Sequence, residues 1–160
     1  MPGWIDAIIS KFSSGDSLPW TDAQVIQDLE REAAQEGQGK NKSESIMRLA
    51  WALVHSAQPA DVQRGIAMLE SSLGGQGGPL QKWEILYLLA VGHYRTGDLG
   101  RCRRLVDQAL EIAPDFRQAV ALRKMVEDKI AQEGAIGVGI AAAAVGIVAS
   151  GVAALLIRKK

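Results

Sequence analysis

The sequence predicts an all-α protein in which six helices form a repeat array and one membrane-spanning helix follows. Three observations predict this: apolar residues recur at helical spacing over residues 20–133, no segment alternates as a strand would, and residues 134–157 carry no charge. We therefore expect an N-terminal arm at 1–19, a helical domain at 20–133, a membrane anchor at 134–157 and a basic tail at 158–160.

The N-terminal arm, MPGWIDAIISKFSSGD, has apolar side chains at helical spacing. Asp6 lies early and Lys11 follows the apolar part, so the arm lacks the basic start of a secretory signal and the arginines of a transit peptide. We interpret it as a segment that packs on the helical domain, with membrane contact as the alternative.

The first helix is expected to begin at a capping box. Thr21 is the predicted N-cap, Gln24 lies three residues later, and Trp20 is placed to pack on Val25. The helix should run to about Glu36, where EGQGKNK breaks it.

The other five helices follow from apolar stripes and the breaks between them. The second is expected after Asn41, with Glu44 at the capping-box position and Pro59 as the stop. The remaining stripes run from Val62 to Leu73, Leu86 to Tyr94, Leu99 to Leu110 and Phe116 to Ile130. The loop GGQGGP lacks the Gly-Lys-Ser/Thr ending of a phosphate-binding loop and predicts a flexible connection.

The composition argues against metal, enzyme and nucleic-acid chemistry. One cysteine, Cys102, and two histidines do not form a zinc pattern, and Cys102 lies in an apolar stripe that predicts a core position. No nucleophile or paired carboxylate has catalytic spacing, so neither an enzyme nor a cofactor is expected. The charge is balanced, with 18 basic and 18 acidic residues, and predicts no nucleic-acid surface.

The C-terminal run, GAIGVGIAAAAVGIVASGVAALLIRKK, permits two opposed interpretations. Gly137, Gly139 and Ala142 match a dinucleotide-binding fingerprint, but a helical segment precedes them and no acidic residue follows. A helix of these 24 uncharged residues would extend roughly 36 Å, enough to cross a bilayer. We favour the anchor over a buried core helix. Small residues four apart, such as Gly139 and Ala143, would let two such helices approach closely, which gives homo-oligomerisation as a hypothesis.

Residues 83–116 resemble a tetratricopeptide repeat, which is typically about 34 residues long. The matching positions are Ala90, Gly97, Asp98, Ala109 and Pro114. Residues 46–79 are a fainter copy, in which Gly65 stands where Cys102 stands in the second. Because two repeats bury too little apolar surface alone, the first and sixth helices are expected to cap the stack.

Four runs together resemble the mitochondrial fission 1 protein family, including its plant members. They are SIMRLAWALVHS, RGIAMLE, LYLLAVGHYRTGDLGRCRRLVDQAL and VEDKIAQEGAIGVGIAAAAVGIVA. The resemblance implies a tail-anchored, non-enzymatic adaptor of the mitochondrial outer membrane and of peroxisomes, with its helical domain in the cytosol. Such an adaptor helps recruit a dynamin-related GTPase, directly or through adaptor proteins. In this interpretation Arg158, Lys159 and Lys160 contribute to targeting.

In tetratricopeptide geometry the first helix of each repeat lines the concave face. The predicted partner-binding residues are Met47, Ala50, Val54, Ala57 and Gln58 from the first repeat, and Glu84, Tyr87, Val91, Tyr94 and Arg95 from the second. This largely apolar face suits an amphipathic helix or an extended peptide. The alternative is that both tyrosines pack against the first helix or the arm, and an arm lying in the groove would compete with the partner.

A second class of function is a tail-anchored docking receptor for chaperones or other cytosolic partners. Such a receptor would grip a C-terminal carboxylate with several Lys, Arg and Asn side chains. Among the predicted binding residues only Arg95 belongs to that set, which favours the fission adaptor.

Overall fold

The computed structural model describes residues 18–37, 39–75 and 80–144, the last ten of these as backbone only. The described residues form six helices and no strand, which confirms the all-α prediction. The helices are α1 (Ala23–Gln35), α2 (Lys40–Val54), α3 (Pro59–Leu73), α4 (Lys82–Arg95), α5 (Leu99–Ile112) and α6 (Arg117–Ala144). The predictions for the N-terminal arm up to residue 17 and for most of the loop GGQGGP lie outside the described residues.

From α1 to α5 each helix packs against the next, and α2 also contacts α4. This contact joins the first helices of the two repeats, as in a tetratricopeptide stack. Trp51, Leu53, Leu69 and Leu88 are almost fully buried between these helices, and each such side chain contributes about 1.5–3 kcal/mol of burial free energy. Hydrophobic burial along the stack therefore fixes which faces remain available for binding.

The start of α1 differs from the prediction. Asp22, not Thr21, is the N-cap: its carboxylate accepts a hydrogen bond from the backbone N–H of Gln24 at 3.0 Å. The backbone N–H of Thr21 instead donates to the carbonyl of His55 at 2.9 Å. This tertiary bond holds Thr21 in an isolated parallel bridge with Ser56, so the helix begins later than predicted. The ring of Trp20 contacts Arg95, as described below.

The other helix ends confirm some expectations and correct others. Helix α2 begins at Lys40, after Gly39 with φ of +94°, and has no side-chain cap, so the predicted role of Glu44 is wrong. The break expected between the stripes that end at Tyr94 and begin at Leu99 is confirmed as the turn Thr96-Gly97-Asp98, or TGD: Gly97 has φ of +85°, which glycine adopts readily, and the Asp98 carboxylate caps α5 by accepting from Arg101 N–H at 3.2 Å.

Two helical glycines mark close approaches between helices of the stack. A Cβ added at Gly65 of α3 would lie 2.8 Å from Val54 Cγ1 and 3.0 Å from both Leu53 Cβ and the backbone nitrogen of Val54. A Cβ added at Gly92 of α4 would lie 2.6 Å from Cγ1 of Ile66. These glycines set how closely α3 approaches α2 and α4.

The chain divides into two compact units, residues 1–123 and 124–160, and the division falls within α6. In the first unit Arg123 Nε lies 3.4 Å from Asp107 Oδ1, which ties the start of α6 to α5. None of the helices in the described ranges combines the length and apolar character required for a membrane span. Residues 145–160, which hold most of the predicted anchor and the whole basic tail, lie outside the described residues.

Candidate partner-binding site

The predicted binding residues separate into buried and accessible groups. The buried ones are Met47, Ala50, Val54, Glu84, Tyr87 and Val91. Tyr94 and Arg95 are partly exposed, and Ala57 and Gln58 are exposed. The accessible residues all lie at or just beyond the C-terminal ends of α2 and α4, so this end of the two helices is the part of the predicted face that a partner can reach.

Two buried members make structural contacts that account for their burial. Glu84 is 3% exposed, and its Oε1 accepts a hydrogen bond from the backbone N–H of Gln81 at 2.9 Å. Its carboxylate therefore caps the start of α4. Val54 lies where α2 meets α3 and α4. Its Cγ1 is within 3.4 Å of the Cβ positions built at Gly65 and Gly92. Neither side chain presents a surface to a partner in this conformation.

Tyr87 belongs to an aromatic cluster at the start of α4. Its ring lies edge-on to Phe116, with centroids 4.9 Å apart, and Trp83 meets Phe116 in the same way at 4.8 Å. Burial raises the pKa of the Tyr87 phenol well above its usual value, against the opposing charge of Arg95. The described partner of Tyr87 is therefore the residue just before α6, which differs from both packing sites considered from the sequence.

Arg95 holds the segment that leads into α1. Its Nη2 donates to the carbonyl of Pro19 at 2.7 Å, and its Nη1 donates to the carbonyl of His55 at 3.4 Å. The guanidinium carbon lies 3.5 Å from the centroid of the Trp20 ring, a cation–π contact. Trp20 remains 59% exposed, so this contact leaves much of the indole ring open to a partner.

His55 lies at the centre of this arrangement. Its ring stacks on Trp51 with centroids 4.1 Å apart, and its Nδ1–H donates to the carbonyl of Trp51 at 2.8 Å, since a carbonyl can only accept. Burial lowers the pKa of His55 to about 3, against the effect of this hydrogen bond, and the charge of Arg95 lowers it further. The imidazole is therefore neutral at pH 7. We call Trp20, Thr21, Trp51, His55 and Arg95 the His55 corner.

Sequence analysis found Arg95 but missed the rest of the His55 corner. From the sequence, Trp20 is expected to pack on Val25 and Thr21 to cap α1, and neither Trp51 nor His55 has an assigned role. The available signal was their position: His55 directly follows α2, and Arg95 is the last residue of α4. In a repeat stack the ends of α2 and α4 meet, which brings Arg95 close to His55. The aromatic Trp20, just before α1, was then a candidate for a cation–π contact with Arg95.

Cys102 and the possible metal-ligating side chains are the remaining candidates for chemistry. Cys102 is fully buried, and burial, together with the charge of Asp98, raises its thiol pKa to about 12. The predicted core position is confirmed, and the thiol stays protonated at neutral pH. Across the described ranges no three His, Cys, Asp or Glu side chains are grouped so that they could hold a metal ion.

Two family models match the chain. Residues 44–73 match the Fis1 N-terminal tetratricopeptide repeat, and residues 83–135 match the Fis1 C-terminal tetratricopeptide repeat. Both descriptions name a repeat, and neither names an enzyme. The matched ranges include α2 to α5 almost completely, so the two repeats expected from the sequence are those of a known family.

Curated relatives and solved structures agree with these matches. Mitochondrial fission 1 protein A of Arabidopsis thaliana is 50% identical over 163 residues, with 98% of this chain and 96% of that protein covered. The mitochondrial fission 1 protein of Yarrowia lipolytica is 36% identical over 111 residues, with 69% and 71% covered.

The crystal structure of Fis1 from Saccharomyces cerevisiae has a TM-score of 0.61 at 28% identity, covering 73% of this chain and 89% of that one. A structure of yeast Fis1 in complex with an Mdv1 fragment has a TM-score of 0.62 at 29% identity, covering 72% and 89%.

Proposed function

This chain belongs to the mitochondrial fission 1 protein family, and from that premise we propose that it recruits a dynamin-related GTPase, or an adaptor of one, to dividing mitochondria and peroxisomes. The coarser role, that of an adaptor in mitochondrial fission, follows from the family itself. The yeast relative that was solved with a fragment of Mdv1 supports the finer proposal, because its fold matches this chain.

One observation carries the choice of binding surface. The C-terminal ends of α2 and α4 lie side by side, joined by the hydrogen bond from Arg95 to the His55 carbonyl, and the accessible predicted residues are all there. Tyr94 and Trp20 add aromatic surface, and aromatic side chains often supply much of the binding free energy at protein interfaces. A partner segment laid across these ends would contact both repeats.

We expect substitutions on this surface to reduce recruitment without disturbing the fold. Combining Tyr94→Ala with Ala57→Glu removes a partly exposed aromatic ring and adds a charge at an exposed position. Recruitment should fall by about tenfold, the effect of losing one strong contact residue. The measurement is the fluorescence of a labelled dynamin-related GTPase on mitochondria of cells that lack their own fission 1 proteins.

Ile112→Ala is the matched control, because Ile112 is half-exposed at the far end of α5 and should leave recruitment unchanged. Circular dichroism of each purified variant checks the fold. Equal recruitment by the double variant and the control would contradict the proposed surface. Tyr87→Ala is unsuitable, since truncating this buried ring would cost about 3–5 kcal/mol of stability.

We further propose that residues 134–157 anchor the chain in the mitochondrial outer membrane and the peroxisomal membrane, with the helical domain facing the cytosol. The uncharged run and the basic Arg158, Lys159 and Lys160 support this. Residues 129–160 fused to a fluorescent reporter should direct it to both organelles, as seen by colocalisation and protease accessibility. Replacing the three basic residues with glutamine tests their part in targeting, and a diffuse reporter would contradict the anchor.

A further inference from the structure

The guanidinium of Arg95 carries a charge that no described carboxylate neutralises. Its two hydrogen bonds go to carbonyl oxygens, and its ring contact is with Trp20. Burial lowers the pKa of Arg95 to about 10, so the group stays protonated at pH 7. Partly buried charges in proteins are usually paired, and here the described residues supply only dipoles. The position therefore favours the binding of an anion.

Two further polar groups of the His55 corner are buried without a described hydrogen-bond partner. They are the indole Nε1 of Trp51, a residue only 2% exposed, and the hydroxyl of Thr21. Both residues contact His55, Trp51 through ring stacking and Thr21 through its backbone N–H. An indole N–H can only donate, and a buried donor without an acceptor costs about 1–3 kcal/mol. Within the described residues the corner thus holds one buried N–H donor, that of Trp51, without an acceptor.

The exposed ring of Trp20 adds an apolar surface directly beside this charge. The ring is held by the guanidinium of Arg95 on one side and is 59% exposed. A ligand that fits both features carries a carboxylate next to an apolar group. A C-terminal carboxylate clamp would need several cations, whereas the corner has only Arg95, so an acidic side chain within a peptide fits better.

We propose that the His55 corner binds an acidic side chain of an extended segment in the partner protein, with the neighbouring apolar side chain packed on Trp20. This inference rests on the proposed function and specifies the chemistry of the partner. A carboxylate on the guanidinium of Arg95 would accept charge-assisted hydrogen bonds, which are stronger than neutral ones. The partner segment would then be selected by charge as well as by apolar contact.

The test compares blocked peptides on the full chain in neutral detergent micelles. The peptide Ac-Ser-Leu-Glu-Leu-Ser-amide is titrated against the same peptide with glutamine in place of glutamate. The readout is the NMR signals of the indole N–H groups of Trp20 and Trp51 and of the Arg95 Nε–H. The glutamate peptide should shift these signals and bind about tenfold more tightly, the effect of one charge-assisted hydrogen bond. Equal affinities, or no shift at these groups, would overturn the inference.

Variants distinguish a preference for glutamate that depends on Arg95 from one that reflects the overall charge of the protein. Arg95→Gln should abolish the preference for glutamate, whereas Arg104→Gln, at an exposed position on α5, should preserve it. Trp20→Ala should weaken both peptides alike. A third peptide, Ac-Ser-Leu-Ser-Leu with a free C-terminus, should bind less tightly than the glutamate peptide, and equal binding would overturn the choice of a side-chain carboxylate. The wild-type comparison needs no variant, and recruitment on mitochondria is scored separately, so failure here would leave the proposed function standing.

Discussion

Replacing Gly65 with valine should destabilise the protein by about 3 kcal/mol, at the upper end of the usual effect of overpacking. The new Cβ would approach Val54 Cγ1, Leu53 Cβ and the backbone nitrogen of Val54 at 2.8–3.0 Å. A backbone nitrogen inside a helix cannot rotate away, so α3 must shift relative to α2. Thermal unfolding of the full chain in detergent micelles, followed by circular dichroism, should show a much lower midpoint.

Gly100→Ala is the matched control for this effect. Gly100 also lies in a helix, but a Cβ there would meet only the Arg104 side chain at 3.7 Å, an ordinary contact. Alanine should therefore stabilise α5 by about 0.5–1 kcal/mol through its higher helix propensity. A midpoint for Gly65→Val that equals or exceeds that of the wild type would contradict the close approach of α2 and α3.

Lowering the pH should destabilise the fold through His55. Its folded pKa is about 3, below the ordinary value of 6.5, so between these values the unfolded chain binds a proton that the folded chain does not. The contribution of His55 to the free energy of unfolding is therefore fully present above pH 6.5 and is lost as the pH falls toward 3. From pH 7 to pH 5 this contribution falls by about 2 kcal/mol. The pKa of His93 is also lowered, chiefly by burial and then by the charge of Arg101. Acidification therefore destabilises the fold through His93 as well.

The contribution of His55 can be isolated with His55→Gln. Glutamine can still donate to the Trp51 carbonyl but does not titrate. Urea unfolding of both proteins at pH 7 and pH 5 gives the two free-energy differences. We expect the variant to be less stable at pH 7, because it loses the stacking contact, but to lose about 2 kcal/mol less on acidification. Equal losses in the two proteins would show that His55 is not the group responsible.

The helices could be predicted because their signals are local. Apolar stripes and breakers such as Pro59 and the TGD turn act within a few residues, so the element order matched the structure. The starts of α1 and α2 were wrong for a physical reason. At Thr21 a hydrogen bond to His55, distant in sequence, competes with helix capping, and α2 begins after a glycine with positive φ that no side chain caps.

The binding face was predicted at the level of helices but not of side chains. Repeat geometry placed it on α2 and α4, which stays a prediction, and it could not show which residues the neighbouring helices cover. Tyr87 meets Phe116, and Glu84 caps its own helix. The contact of Arg95 with Trp20 joins parts of the chain that no local pattern connects, so only the folded structure could show it.

The hydrogen bond between Arg95 and Pro19 has a consequence for folding kinetics. It closes a loop of 76 residues, whereas most helix contacts in this stack join neighbours in sequence. Loop-closure entropy makes such long-range contacts slow to form, so we expect the neighbouring helices to associate first and the segment before α1 to dock afterwards. The surface proposed for partner binding would then be completed late in folding, after the repeat domain has stacked.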